Sequence, residues 1–181
     1  MTPTAGLPIR EYILVALVSA AVTFLLTALV RKFAMKSGAV AVPRQRDVHV
    51  VPIPRMGGLA MYFGVVGGMA LAHQLPVLRR AFEYSYDPLA VLIGGAVIVL
   101  IGALDDRFEL DAWTKLAGQV MCAGILVLFG LQWVSFWVPW GGEGEALGQV
   151  LILDRNQGGL LAVLLVVVMV NAMNFVDGLD G

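Results

Sequence analysis

The 181-residue chain is 59% hydrophobic and only 14% charged, with a mean hydropathy of +0.85. Soluble domains carry roughly 25% charged residues, so this composition excludes a soluble globular protein and indicates an integral membrane one. A formal net charge of −1 gives no basis for nucleic-acid binding, and the single cysteine, Cys122, excludes an internal disulfide.

A helix needs about 20 apolar residues to cross a hydrocarbon core of roughly 30 Å, and five segments qualify. The first, 12–30, follows Arg10 and Glu11 and is too long for a signal-peptide core, so it is read as a span rather than a cleavable leader. The second, 57–75, opens on Gly57 and Gly58 and carries Gly64 and Gly68 at GxxxG spacing. Close helix packing is expected at the latter pair and at Gly67, Gly94 and Gly95, while Gly57 and Gly58 stay functional candidates. The third, 88–104, ends abruptly in Asp105 and Asp106. The fourth, 116–137, contains Cys122 and closes on an aromatic belt of Trp133, Trp137 and Trp140. In the loop that follows, GQVLILD (148–154) is expected to form a short hairpin strand. The fifth, 159–175, holds Leu-Val-Val-Val at 165–168, which would suit a buried strand. Lipid offers an open sheet edge no partner, so helix is expected there.

The basic residues orient these spans. Arg31, Lys32, Lys36, Arg44, Arg46 and Arg55 join the first two spans, and Arg107 and Lys115 follow the third. Five crossings place these eight on one side, against Arg10, Arg79, Arg80 and Arg155 on the other. The positive-inside rule makes the eight-residue side cytoplasmic and puts the N-terminus outside. The expected fold is an all-α polytopic transmembrane helix bundle, with residues 1–181 forming a single membrane domain. His73 and Cys122 are read as structural.

Three unusual stretches then fall on the cytoplasmic side: DVHVVPIPRMGG (47–58), DDRFELDAWTK (105–115) and NAMNFVDGLDG (171–181). Adjacent carboxylates such as Asp105 and Asp106 repel each other, so a cation is expected beside them. The stretches supply four carboxylates (Asp105, Asp106, Asp177, Asp180), two carboxamides (Asn171, Asn174) and the cationic or titratable Arg55, Lys115 and His49. Carboxylates with carboxamides and little thiolate or imidazole suit a hard ion such as Mg²⁺, and arginine, lysine and glycine suit phosphate. Each stretch also has a plainer reading. The acidic pair fits a solvated helix end, held by Arg107 or capping the next turn. The asparagines and Asp177 fit interhelical hydrogen bonds, the loop arginines fit topology signals, and His49 fits a surface histidine. The convergence of all three on one face favours a site for a phosphorylated substrate with a lipid-borne partner.

On these residues the chain resembles the polyprenyl-phosphate N-acetylhexosamine-1-phosphate transferases, glycosyltransferase family 4. VHVVPIPRMGG is similar to the branch that transfers N-acetylglucosamine phosphate, where a histidine precedes Pro-x-Pro-Arg-x-Gly-Gly. GALDDRFELDAWTKLAGQ is similar to the family's Asp-Asp element with its downstream lysine and glutamine. NAMNFVDGLDG is similar to Asn-Ala-x-Asn-x-x-Asp-Gly-x-Asp-Gly. The resemblance implies attack of a polyprenyl phosphate, undecaprenyl phosphate by expectation, on the β-phosphorus of a UDP-N-acetylhexosamine, with UMP leaving. It implies Asp105 and Asp106 as catalytic residues and Asp106 and Asp177 as ligands of Mg²⁺, with Mn²⁺ as a substitute. His49, Arg55, Lys115, Asn171, Asn174 and Asp180 become substrate contacts. The setting implied is the bacterial inner membrane, with the site on the cytoplasmic face; oligomeric state is open, a homodimer included.

The family has about ten spans where about 20 residues make one, so the chain is expected to be an N-terminal fragment, inactive alone. Other classes separate by simple features. An ion-coupled transporter would carry its carboxylates near mid-span, an intramembrane aspartyl protease would need Gly-x-Gly-Asp, and a non-catalytic scaffold would be indifferent to Asp105→Asn.

Overall fold

The computed structural model describes residues 8–41, 53–139 and 149–177. The chain divides into two compact units, Met1–Lys115 and Leu116–Gly181. It is predominantly α-helical. Among the described residues three helices are long and apolar enough to cross a membrane, namely α1 (Ile9–Ser37), α4 (Asp87–Phe108) and α6, which is Arg155–Asp177. Two shorter apolar helices, α2 (Gly57–Ala72) and α5 (Ala112–Leu128), occupy the other expected spans. A short α3 (Arg79–Tyr84), which hydropathy did not announce, precedes α4.

The core is assembled from small side chains. Ala34, Ala39, Ala60, Ala90 and Ala123 are buried, whereas Phe24, Leu25, Leu100 and Leu160 face outward. Large apolar groups pointing away from the protein suit a hydrocarbon solvent, which does not penalise them.

In the first unit α1 packs along α2. A Cβ at Gly64 would run into the Ser19 carbonyl and the Thr23 hydroxyl, and one at Gly68 into the Ser19 hydroxyl. The GxxxG pair therefore serves close packing, as expected. Gly57 and Gly58 differ, because a Cβ at either would meet nothing. At the far end the Glu11 carboxylate accepts the Val77 and Leu78 amides at 3.2 and 3.0 Å and closes the turn after α2. At the near end α1 stops at Gly38, φ 78°, and β1 (Val40–Ala41) pairs antiparallel with β2 (Ile53–Pro54). The Arg55 amide then donates to the Ala39 carbonyl at 2.9 Å, so the start of α2 is fastened to the end of α1.

Asp111 starts α5 by accepting the Trp113 and Thr114 amides at 3.1 and 3.2 Å, as an N-cap should. Asp154 starts α6 in the same way, through the Asn156 and Gln157 amides at 2.8 Å each. Gln157 reaches back to the Asp154 amide at 3.2 Å, completing a capping box.

The fourth expected span needs correction. The helix ends at Leu128 rather than running to 137, and Ser135–Val138 is a strand, β3, paired antiparallel with β4 (Gln149–Ile152). Gly130 takes φ 99°, a conformation that ends a right-handed helix, and the Trp133 amide turns to the Gly158 carbonyl at 3.2 Å. A Cβ at Gly158 would strike the Trp133 carbonyl, so a glycine is what lets the two main chains approach. The expected strand in GQVLILD is present as β4. Trp133 and Trp137 lie in this hairpin and its lead-in; Trp140 lies outside the described residues.

Candidate functional site

The acidic pair occupies the last turn of α4, and the cation expected beside it is Lys115. Its ammonium lies 2.9 Å from Asp105 Oδ1, with both side chains partly exposed. The same oxygen accepts the Leu110 amide at 3.0 Å, so the carboxylate also caps the turn that follows the helix. The chain reverses through Glu109, φ 50°, whose amide donates to the Asp105 carbonyl at 2.9 Å. Arg107, the plainer candidate for the neutralising cation, lies beside Gly38 and over the Phe108 ring at 5.3 Å.

Asp106 points to a different partner. Its Oδ2 accepts the Met56 amide at 2.8 Å, across fifty positions of sequence. Met56 precedes α2 in left-handed backbone, φ 72°, with its side chain buried against Val30, Ala34, Ala39 and Ala60. A carboxylate at a helix N-terminus is favoured by the exposed amides and the helix dipole. This bond joins the second sequence cluster to the first at the residue between Arg55 and Gly57. Arg55 itself is exposed and lines a cleft of about 140 Å³ with Thr27, Val30, Arg31, Pro54, Gly57 and Ala60. Arg31 was legible in the sequence only as a topology signal; its place beside Arg55 follows from the packing of α1 on α2.

Asp111 is part of the scaffold. The Thr114 hydroxyl, and after it the Thr114 amide, hold its carboxyl below the ordinary value against a smaller opposing effect of desolvation, with the Trp113 amide adding less.

In the second unit the described part of the third cluster lies on α6. Asn171 takes its plainer reading: its Nδ2 donates to Gln119 Oε1 on α5 at 2.7 Å and to the Val167 carbonyl at 2.8 Å. Gln119 is buried, 5% exposed, and was quoted in the sequence only as part of a motif. A glutamine four residues after Lys115 on an apolar helix was the available signal. Asn174 is exposed near the end of α6. The side chain of Asp177, together with Asp180 and His49, lies outside the described residues.

Among the described residues no group of three or more His, Cys, Asp or Glu side chains gathers to hold a metal. Asp105 and Asp106 supply two carboxylates. Mg²⁺ is commonly held by one or two carboxylates plus water and substrate phosphate, so this donor set fits such an ion.

Comparison with known proteins agrees with the motifs. The family profile described as Glycosyl transferase family 4 matches residues 88–181. A decaprenyl-phosphate N-acetylglucosaminephosphotransferase of Mycobacterium tuberculosis is 53% identical over 177 residues, 98% of this chain and 43% of the relative. A probable undecaprenyl-phosphate N-acetylglucosaminyl 1-phosphate transferase of Bacillus subtilis is 36% identical over 91% of this chain and 42% of its own. An undecaprenyl-phosphate alpha-N-acetylglucosaminyl 1-phosphate transferase of Escherichia coli is 31% identical over 83% and 37%. The chain thus spans less than half the length of these curated relatives. No solved structure matches it.

Proposed function

The chain belongs to glycosyl transferase family 4, and from that premise we propose that the complete protein transfers N-acetylglucosamine 1-phosphate from its UDP-sugar to a polyprenyl phosphate. A phosphate oxygen of the lipid forms a bond to the sugar-bearing β-phosphorus. The bond from that phosphorus to the bridging oxygen breaks, and UMP leaves with its electron pair. The product is a lipid-linked sugar diphosphate at the cytoplasmic face of a bacterial inner membrane. The motifs imply undecaprenyl phosphate, the lipid named by the Bacillus subtilis and Escherichia coli relatives; the mycobacterial relative, with over half its aligned residues identical, names decaprenyl phosphate, and that is the acceptor proposed here.

The observation that carries this reading is the corner joining Asp105, Asp106 and Lys115 to the turn between Arg55 and Gly57. Two anionic phosphates must approach each other, and the chain's contribution is positioning and charge compensation. Lys115 spends one of its three N–H donors on Asp105 and keeps two for phosphate oxygens. Asp105 and Asp106 serve the acceptor phosphate and its proton. Mg²⁺, with Mn²⁺ as a substitute, would be held through Asp106 and would neutralise charge on the diphosphate.

The test is UMP release by the complete protein, purified in detergent, with UDP-N-acetylglucosamine and decaprenyl or undecaprenyl phosphate. Magnesium-dependent release is expected, faster with decaprenyl phosphate, and reduced at least about a hundredfold in Asp105→Asn. No release from any UDP-N-acetylhexosamine would refute the reading.

A further inference from the structure

Gln119 places a carboxamide inside an apolar helix, where a polar group costs free energy unless it finds a partner. Its partner is a second neutral carboxamide, and the pairing is directional. Asn171 Nδ2 has two hydrogens; one goes to Gln119 Oε1 and the other to the Val167 carbonyl one turn back on α6. Both donors are committed, so the plane of the Asn171 carboxamide is fixed. Among the described residues its Oδ1 accepts no hydrogen bond and is left to meet an incoming donor. Asn174 follows three residues later, on the adjacent part of the same helical surface. Rotation of α6 about its axis would break the bond to Gln119 and turn Asn174 with it. The main-chain contact of Gly158 with Trp133 holds only the first turn of α6, and beyond it the small residues leave room: Gly124 meets nothing at its Cβ position, and a Cβ at Gly159 would meet only the Val127 methyl.

We propose that Gln119 is a positioning residue: its carboxamide oxygen sets the rotation of α6, and with it the direction in which Asn171 and Asn174 present their polar groups. The role of these asparagines as substrate contacts rests on the reaction proposed above; the rotational lock does not. The lock is made of two neutral carboxamides, so it does not depend on the protonation of either.

Two measurements on the complete protein test it. The first compares Gln119→Leu, which keeps volume and loses the acceptor, with Gln119→Glu, which keeps an acceptor oxygen, alone and combined with Asn171→Leu. Gln119→Leu should lower kcat/KM for UMP release about tenfold to a hundredfold, well beyond what its loss of thermal stability accounts for at a temperature where the variant stays folded, and Gln119→Glu should recover most of it. In the Asn171→Leu background Gln119→Leu should add almost nothing. Full additivity, unchanged kinetics, or a loss that simply follows thermal stability would overturn the proposal. The second measurement does not depend on the reaction. In a background lacking reactive cysteines, Asn174→Cys is titrated with a water-soluble thiol reagent. Its reaction rate should change severalfold when Gln119 becomes Leu, and an equal rate would sink the rotational lock. If the wild-type protein releases no UMP but the rate at 174 shifts, the reaction is wrong and the lock stands.

Discussion

In the first unit the polar anchors are charged or main-chain. Asp105 meets an ammonium, Asp106 meets the Met56 amide, and α1 and α2 close on each other through Gly64 and Gly68, set against the carbonyl and the hydroxyl of Ser19. In the second unit the main chains of Trp133 and Gly158 meet at the start of α6, but further along the side-chain anchor is a pair of neutral carboxamides, and the helices meet with room to spare at Gly124. The contrast follows from the surroundings. At a helix end water and a lysine compensate a carboxylate, whereas along an apolar helix the desolvation cost favours a neutral pair. Charge is concentrated where phosphate chemistry would need it, and orientation is fixed where charge would be expensive.

The widest gap between the units should appear at their glycines. Gly64→Val drives a side chain into the Ser19 carbonyl and should cost about 3 kcal/mol, read as a lowered thermal midpoint or loss of folded protein. Gly124→Ala meets open space and replaces a poor helix former, so it should leave the midpoint unchanged or raise it. Equal losses at both sites would break the comparison. A smaller effect separates the two functions of Asp106. Asp106→Ala should cost about 2 kcal/mol by orphaning the Met56 amide, while Asp106→Asn keeps an acceptor and should spare stability yet lose UMP release. Equal destabilisation by both would show that charge rather than the acceptor holds the turn.

The smallest effect belongs to Asp111, which is exposed. Its carboxyl is held below the ordinary value by Thr114, so its contribution is complete above the usual Asp pKa of about 3.9 and fades as pH falls through the lower folded value. Asp111→Ala should therefore lower the midpoint slightly at pH 7 and progressively less towards pH 3. A difference that grows on acidification would contradict this sign.

Hydropathy was enough to read the helical membrane character and the apolar segments, because lipid rewards long unbroken runs. Spacing was enough to read the packing at Gly64 and Gly68. The end of α5 was not legible: residues 129–137 are as apolar as the helix before them. What stops the helix is a left-handed Gly130 and a main-chain bond to Gly158, nearly thirty positions away. The acidic pair announced a need for compensation, and Lys115 was among the candidates. That Asp106 would engage a backbone amide required the fold, since a pattern of side chains says nothing about which main-chain group is turned outward. Asn171 was legible as polar in an apolar context, but its partner was fixed only by the packing of α5 and α6.

Met56 and Glu109, at φ 72° and 50°, are the two left-handed residues with side chains among those described, and both bond to the acidic pair. Such backbone costs about 1 kcal/mol or more for an ordinary L-residue and persists only where its surroundings insist on it. For genetics the consequence is practical. A substitution at Asp105 or Asp106 perturbs a chain reversal as well as any reaction, through the Leu110 amide in one case and the Met56 amide in the other, so an inactive allele there is uninformative by itself. Only alleles scored for folding and turnover together can assign these carboxylates a chemical task.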